Sequence, residues 1–333
     1  MYRLIGLIVL SALTFEAFPQ LLIRGKVLDQ ATQQPLGYAN IGILGTPVGT
    51  LTNVDGSFTL SIHPRYLQDS LVFSALGYGR KSLPVSLVLT QSTIYLAERI
   101  TTLPRIDIVG HQGPGNAINL GNEHVNTGWL ENDSLYAGAA MALLIDMAGQ
   151  PIGYPYYLTK ARLRIWKNTF LTFKARIRLY DLDSLSGLPG KDLLNESIIL
   201  TSTIRQGWLS VDLSSYTIML SKSRFFLAFE WIVNEEDRRW IGQQYRAFKR
   251  QHPEKMRIDS VLVDGRRVAQ EIWNYHGFLA GTAFGVSYNN VTTGSHFQCY
   301  TRKSSFDLWR RATGILTAQL TVSHRLSSNP KTH

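Results

Sequence analysis

The sequence predicts an all-β protein built as tandem β-sandwiches. Three observations carry this. Apolar and polar residues alternate with a period of two over many short runs. Turn residues punctuate those runs at about ten-residue spacing. The chain has 333 residues, about two domains by length. Charged residues make up 17% and hydrophobic ones 44%, a globular composition with apolar material for two cores.

The chain opens "MYRLIGLIVLSALTFEAFPQ". Arg3 gives a basic start, Leu4 to Phe15 an apolar run, and Ala17 and Pro19 follow. That is the layout of a secretory signal peptide over residues 1–19, with cleavage expected between Ala17 and Gln20. The run is shorter than the about 20 residues that span a bilayer. No cysteine follows it to carry a lipid anchor. No later run is long and apolar enough to span as a helix, so the mature chain is expected to be exported, soluble and without a transmembrane segment.

Residues 20–109 read as the first sandwich. "LLIRGKVLD", "YANIGIL", "GSFTLSI", "DSLVFSALGY", "KSLPVSLVL", "STIYLAE" and "RIDIVG" are its strand-like runs. Ala39, Ile41 and Ile43 should face one side of their strand, and Tyr38, Asn40 and Gly42 the other. Gly45 and Gly49 stand where the chain reverses, since glycine tolerates φ > 0. Asn53 and Asp55-Gly56 mark a second reversal, and Asp-Gly between β-like runs is a hairpin signal. These Asx side chains read as bonded to their own turn. No third carboxylate lies nearby, and calcium takes about 6–8 oxygen ligands.

The stretch "GKVLDQATQQPLGYANIGILGTPVGTLTNVDGSFTL", with "LVFSALGY" after it, resembles the carboxypeptidase-regulatory-like domain. The resemblance covers about the first third of the chain. Among the residues that carry it are Gly25, Asp29, Pro35, Asn40, Gly45, Thr52, Asn53, Asp55, Gly56 and Phe58. It implies a seven-stranded transthyretin-like sandwich of the Gram-negative envelope, placed in the periplasm or at the outer-membrane surface. The module often precedes a TonB-dependent transporter, but no plug and barrel follow here. It also accompanies zinc carboxypeptidases without carrying catalytic residues. None of the eight histidines opens an H-E-x-x-H or H-x-x-E pattern.

Residues 110–133, "GHQGPGNAINLGNEHVNTGWLEND", read as a linker, rich in Gly and Asn. Residues 134–324 then form a larger sandwich, and 325–333 a disordered tail. In "FKARIRLYDLD", Phe173, Ala175, Ile177 and Leu179 face one way and Lys174, Arg176 and Arg178 the other. The reading is one buried face and one wet basic face. "SVDLSSYTIML" reads as strand, turn, strand. "NEEDRRWIGQQYRAFKRQHP" breaks the β pattern and reads as a short helix capped by Asn234, with a strand over "RRWIG" as the alternative. "RIRLYDLDSLSGLPGKDLL" and "GWLSVDLSSYTIMLSKSRFFLAFEWI" resemble the jelly-roll-like second domain that follows this module in some envelope proteins. That implies architecture only.

Candidate sites are sparse. Asp181 and Asp183 fit the start of an EF-hand loop, but Leu185 and Ser186 break it, so the stretch reads as a hairpin. Ser287 lacks the second glycine of a nucleophile elbow. Cys299 is the one cysteine, so the chain has no internal disulfide, and a lone strand cysteine reads as core. Trp240, Tyr245, Trp273 and Tyr275, with His276, form an aromatic region bordered by arginine. Such faces suit a sugar, and they suit a sandwich core, which is the preferred reading. Asp-Ser-apolar tripeptides resemble an envelope O-glycosylation acceptor, and Ser134 and Ser184 are the exposed choices.

The formal net charge is +10. The basic residues are spread over strand-like segments without a nucleic-acid-binding motif, so nucleic acid is set aside as a partner. An anionic surface such as lipopolysaccharide or an acidic glycan is compatible. The expectation is a non-catalytic envelope protein that binds a glycan or an outer-membrane protein, or serves assembly, with no cofactor and no metal. The alternative is an envelope hydrolase, peptidase or glycosidase, using Glu230 with a second carboxylate about 5–10 Å away.

Overall fold

The computed structural model describes residues 20–99, 117–124, 137–263, 266–273, 279–288 and 297–324, with the backbone alone over 256–273. The signal peptide, "RIDIVG", Ser134, Tyr275, His276 and the tail lie outside the described residues. The described residues are all-β apart from one long helix and a few short turns of helix.

The first module has seven strands: β1 (Leu21–Asp29), β2 (Asn40–Ile43), β3 (Gly49–Leu51), β4 (Ser57–Ile62), β5 (Ser70–Ser74), β6 (Lys81–Pro84) and β7 (Thr93–Leu96). One sheet has the order β4-β1-β7 and the other β3-β2-β5-β6. The alternation read from the sequence places its apolar residues between them. Val27, Ala39, Ile41, Phe58, Leu71, Phe73 and Ile94 are buried together. The run "KSLPVSLVL" is not one strand. Pro84 has no N–H to extend the ladder, and a helical turn, α1 (Val85–Val88), follows it.

The "NVDG" stretch is a turn, held by its own side chains. Asp55 Oδ1 accepts from the Ser57 amide (3.1 Å) and hydroxyl (2.6 Å), and Asn53 Nδ2 donates to Ser57 Oγ (2.9 Å). The turn carries the chain from β3 in one sheet to β4 in the other, so it is a corner between sheets and not a two-stranded hairpin. Gly56 sits there at φ +73°, and a Cβ would lie 2.6 Å from the Val27 carbonyl oxygen. Gly56→Ala is therefore expected to cost about 1–3 kcal/mol, read by urea denaturation. Gly49, expected to reverse the chain, instead opens β3 opposite Gly42. What it provides is room: a Cβ there would stand 3.0 Å from the Ile41 carbonyl oxygen.

The second module begins inside the stretch read as a linker. Residues 118–122 form β8 (Ile118–Asn122), paired with the last strand, β24 (Ala318–Ser323). Only Leu120 and Asn122 of this short run are buried, too little apolar alternation to stand out from the Gly and Asn around it.

The other strands are β9 (Ala140–Asp146), β10 (Tyr156–Asn168), β11 (Phe173–Leu182), β12 (Pro189–Asp192), β13 (Ile198–Ser202), β14 (Gly207–Asp212), β15 (Met219–Leu220) and β16 (Arg224–Ile232). After the helix α2 (Glu235–Gln251) come β17 (Met256–Val263), β18 (Arg266–Trp273), β19 (Thr282–Phe284), β20 (Val286–Ser287), β21 (Cys299–Arg302), β22 (Arg310–Arg311) and β23 (Ile315–Leu316). One sheet runs β14-β10-β24-β8, and the facing sheet runs β12-β11-β16-β9-β21-β22. Ala175, Ile177, Leu179, Phe225, Leu227 and Phe229 fill the space between them. Trp231 stacks on Phe284 at 3.9 Å and donates to the Thr282 carbonyl (2.8 Å).

The break at 234–253 is the helix α2. Asn234 Oδ1 accepts from the Asp237 amide (2.8 Å), and Asp237 Oδ2 accepts from the Asn234 amide (3.0 Å), a reciprocal cap. Glu235 to Asp237 open the helix and Lys249 and Arg250 close it, as the macrodipole favours. "RRWIG" lies within this helix.

Candidate functional site

The outer face of β11 is not wet. Arg176 is 2% exposed and Arg178 is 6% exposed. Tyr38 and Asn40 of the first module lie on Arg176, and Asp192 and Glu230 hold Arg178.

Strand register explains the arrangement. Arg302 on β21 stands opposite Ala140 on β9, Ala140 opposite Glu230 on β16, and Glu230 opposite Arg176 on β11. Directly opposed residues share a face, so these four form one row across four strands. Ala140 is small, and the Arg302 side chain reaches over it. The next row is Tyr300, Ala142, Ala228 and Arg178. Its two alanines leave room in the same way.

Glu230 is the hub and is fully buried. Its Oε1 lies 2.9 Å from Arg176 Nη1, and its Oε2 lies 3.4 Å from Arg302 Nη2 and 3.6 Å from Arg178 Nε. Arg178 also donates to Asp192 Oδ2 (2.8 Å). Arg302 donates to the Tyr180 hydroxyl (2.9 Å) and lies over the Trp309 ring at 4.5 Å. Three guanidiniums thus share two carboxylates. Burial by itself would push the Glu230 carboxyl up, but Arg176, Arg178 and Arg302 outweigh it and hold the carboxyl below its ordinary value. Burial also pulls Arg176 down, to about 10, against the pull of Glu230, so it stays charged at neutral pH. Asp192 rises, because burial outweighs Arg178.

The cluster reaches into the first module. Arg176 Nη2 donates to the Tyr38 carbonyl (2.5 Å), and Nη1 donates to Asn40 Oδ1 (3.2 Å). Tyr38 takes φ +58°, a left-handed conformation uncommon outside glycine. Asn40 Oδ1 also accepts from Ser305 Oγ (2.9 Å). Around this, Ser304 Oγ donates to the Thr46 carbonyl (3.0 Å), and the Gly45 amide donates to the Phe306 carbonyl (2.8 Å). Leu51 of the first module packs with Ala137 and Ile232 of the second. The two modules meet through a buried, charged and hydrogen-bonded seam.

This burial bears on the hydrolase reading of Glu230. A general acid must reach its substrate. Glu230 has no exposed surface and is committed to three guanidiniums.

The other sequence candidates are scattered. Trp240 is half-buried, its ring 5.1 Å from Phe170 at the fringe of the sandwich core. Tyr245 is half-buried further along α2. Trp273 ends β18, where the backbone alone is described, and Tyr275 is outside the described residues. Ser184 is exposed at the tip between β11 and β12, beside Leu185 at 97% exposure. Asp183 and Asp181 serve that turn: Asp183 Oδ1 accepts from the Leu185 and Ser186 amides, and Asp181 Oδ1 accepts from the Lys191 amide. Ser287 is buried, its hydroxyl accepting from Asn122 Nδ2 (2.7 Å). Cys299 is buried in the core. Among the described residues no cluster of three or more His, Cys, Asp or Glu could hold a metal ion, and no helix is long and apolar enough to cross a membrane.

The sequence reading missed the seam, though "RFFLAFEWIV" carries a hint of it. That run is apolar on both faces, so both faces must be buried, and a Glu inside it needs a cationic partner.

Comparison with family models matches residues 23–104, the span of the seven-stranded module. These residues form a CarboxypepD_reg-like domain. A 99-residue stretch of the chain is 31% identical to the TonB-dependent receptor SusC of Bacteroides thetaiotaomicron. The match covers 30% of this chain and 9% of that receptor. The CarboxypepD_reg-like domain is thus the part of the chain shared with the receptor, and it lies against the outer face of the second sandwich.

Proposed function

We propose that the protein is an exported envelope component that binds a glycan or an outer-membrane protein, or holds an assembly together, without catalysing a reaction. The seam carries this reading. Arg176 joins Glu230 of the second sandwich to Asn40 and Tyr38 of the CarboxypepD_reg-like domain. The domain is thereby docked on its partner sandwich, and a docked domain presents its remaining surface in a fixed orientation. The likeness to a TonB-dependent receptor supports a place in the envelope, in the periplasm or at the outer-membrane surface.

The test uses the mature protein as bait in envelope extracts, beside a glycan array and a panel of peptide and glycoside substrates. Capture of an envelope protein or glycan without turnover is expected. Hydrolysis of any substrate, or failure to capture either kind of partner, sinks the reading. Mass spectrometry of the protein from its native envelope should find an N-terminus between Ala17 and Gln20. The same spectra should show a sugar on Ser184, whose exposed turn leaves the hydroxyl accessible. An unprocessed N-terminus contradicts export, and a bare Ser184 contradicts the modification.

A further inference from the structure

A second feature of the junction faces solvent. Between the CarboxypepD_reg-like domain and α2 runs a groove of about 460 Å³. Thr50, Thr59 and Ser61 line one wall, and Arg238, Arg239 and Arg246 line the other. Gly242 lies between the arginines, and the Arg246 guanidinium extends back to within 3.7 Å of where a Cβ at Gly242 would stand. Arg239 and Arg246 stand seven residues, about two turns, apart on the helix, and Arg238 precedes Arg239 by one position.

Their charge is poorly answered. Glu235 pairs with Arg239 at 3.7 Å. Arg238 is half-buried, and its guanidinium donates to a neutral group, the Thr50 hydroxyl (2.8 Å). Arg246 is exposed and has no ion pair among the described residues. Glu235 also lines the groove, and its charge and that of Asp237 act on Arg238, so three arginines face one lining carboxylate and the groove keeps a net positive charge. Arg238 and Arg246 are eight residues apart, which along a helix is about 12 Å.

We propose that this groove binds an extended acidic glycan, a polysaccharide carrying carboxylates at intervals along its chain. Successive carboxylates along such a chain would meet Arg238 and Arg246 together, since guanidinium and carboxylate pair in a planar, two-pronged geometry. The opposite wall supplies hydroxyls, which donate to and accept from sugar hydroxyls. Apolar surface on that wall is confined to Leu22, at 49% exposure, since Leu60 is 4% exposed. The buried seam holds the two walls at a fixed separation, so the groove does not have to be assembled on binding. The proposal rests on the envelope-binding reading and names the ligand class for one surface of it.

The experiment measures binding of the full mature protein to polygalacturonate by calorimetry, with neutral dextran and poly-L-glutamate as comparison ligands. Polygalacturonate should bind, dextran should not, and added salt should weaken the binding. Arg238→Ala combined with Arg246→Ala should lose at least about tenfold in affinity. Arg246→Ala alone, at an exposed position away from the seam, should lose part of it while keeping the wild-type melting temperature. Lys191→Glu, on the exposed edge of β12, should bind like wild type. No binding to polygalacturonate overturns the proposal, as does undiminished binding by the arginine variants. Equal affinity for poly-L-glutamate also overturns it, because charge alone would then explain the binding. Capture of an envelope partner without polygalacturonate binding would remove this groove and leave the envelope-binding reading standing.

Discussion

Replacing Glu230 with alanine is expected to destabilise the protein by about 3–5 kcal/mol, the cost of removing one partner from a buried ion cluster. Three guanidiniums meet at this carboxylate, and Asp192, which contacts Arg178, cannot serve the other two. Without Glu230, Arg176 and Arg302 would be buried cations with neutral hydrogen-bond partners. Denaturation in urea reads the loss directly. Glu230→Gln keeps the shape and removes the charge, so it should still lose most of the stability if charge is what matters. A loss below about 1 kcal/mol in both variants would show that the cluster is not held by its charges.

The same carboxylate predicts an acid dependence. Its folded pKa is held below the ordinary value of 4.5. A carboxyl lowered on folding adds stability that is present above its unfolded pKa and lost as the pH falls through its folded pKa. Asp192 shifts the other way, so its buried charge costs stability at neutral pH, and protonation relieves that cost. Protonation of Glu230 should therefore cost stability below pH 4.5, and Glu230→Gln should flatten that fall by removing the carboxyl that is lowered on folding. An unchanged slope in the variant would place the acid sensitivity elsewhere.

Arg176→Ala is the second large effect, expected at about 3 kcal/mol. It removes the hydrogen bonds to Tyr38 and Asn40 and the ion pair to Glu230 at once. Its particular signature is loss of coupling between the modules. Calorimetry of the wild type should show one cooperative transition. The variant should show two, because each module has its own apolar core but has lost the charged tie between them. A single transition at lower temperature would mean that the Leu51, Ala137 and Ile232 contact is enough to couple the modules.

The local structure was legible in the chain. Period-two alternation placed Ala39, Ile41 and Ile43 in the first core and Ala175, Ile177 and Leu179 in the second, because strand side chains must alternate between faces. Asn53, Asp55 and Gly56 announced a turn because their side chains and dihedrals suit nothing else so well. Asn234 and the acids after it announced a helix start for the same kind of local reason. The resemblance in "NVDGSFTL" identified the first domain.

Tertiary structure decided what the outward faces do. Alternation says that Arg176 and Arg178 point away from Ile177, but not what waits on the other side. A basic strand face reads as solvated until another layer covers it, and here the cover comes from residues more than a hundred positions away in the chain: Arg176 bonds Asn40 at a separation of 136. Glu230 likewise became the hub through strand register, which sets three arginines from two other strands around it. The same is true of the arginines on α2, whose groove exists only because the Thr50 wall is docked against the helix. Local pattern fixes which residues share a face. Which faces meet is a long-range outcome of docking, and the site built between them is visible only in the folded chain.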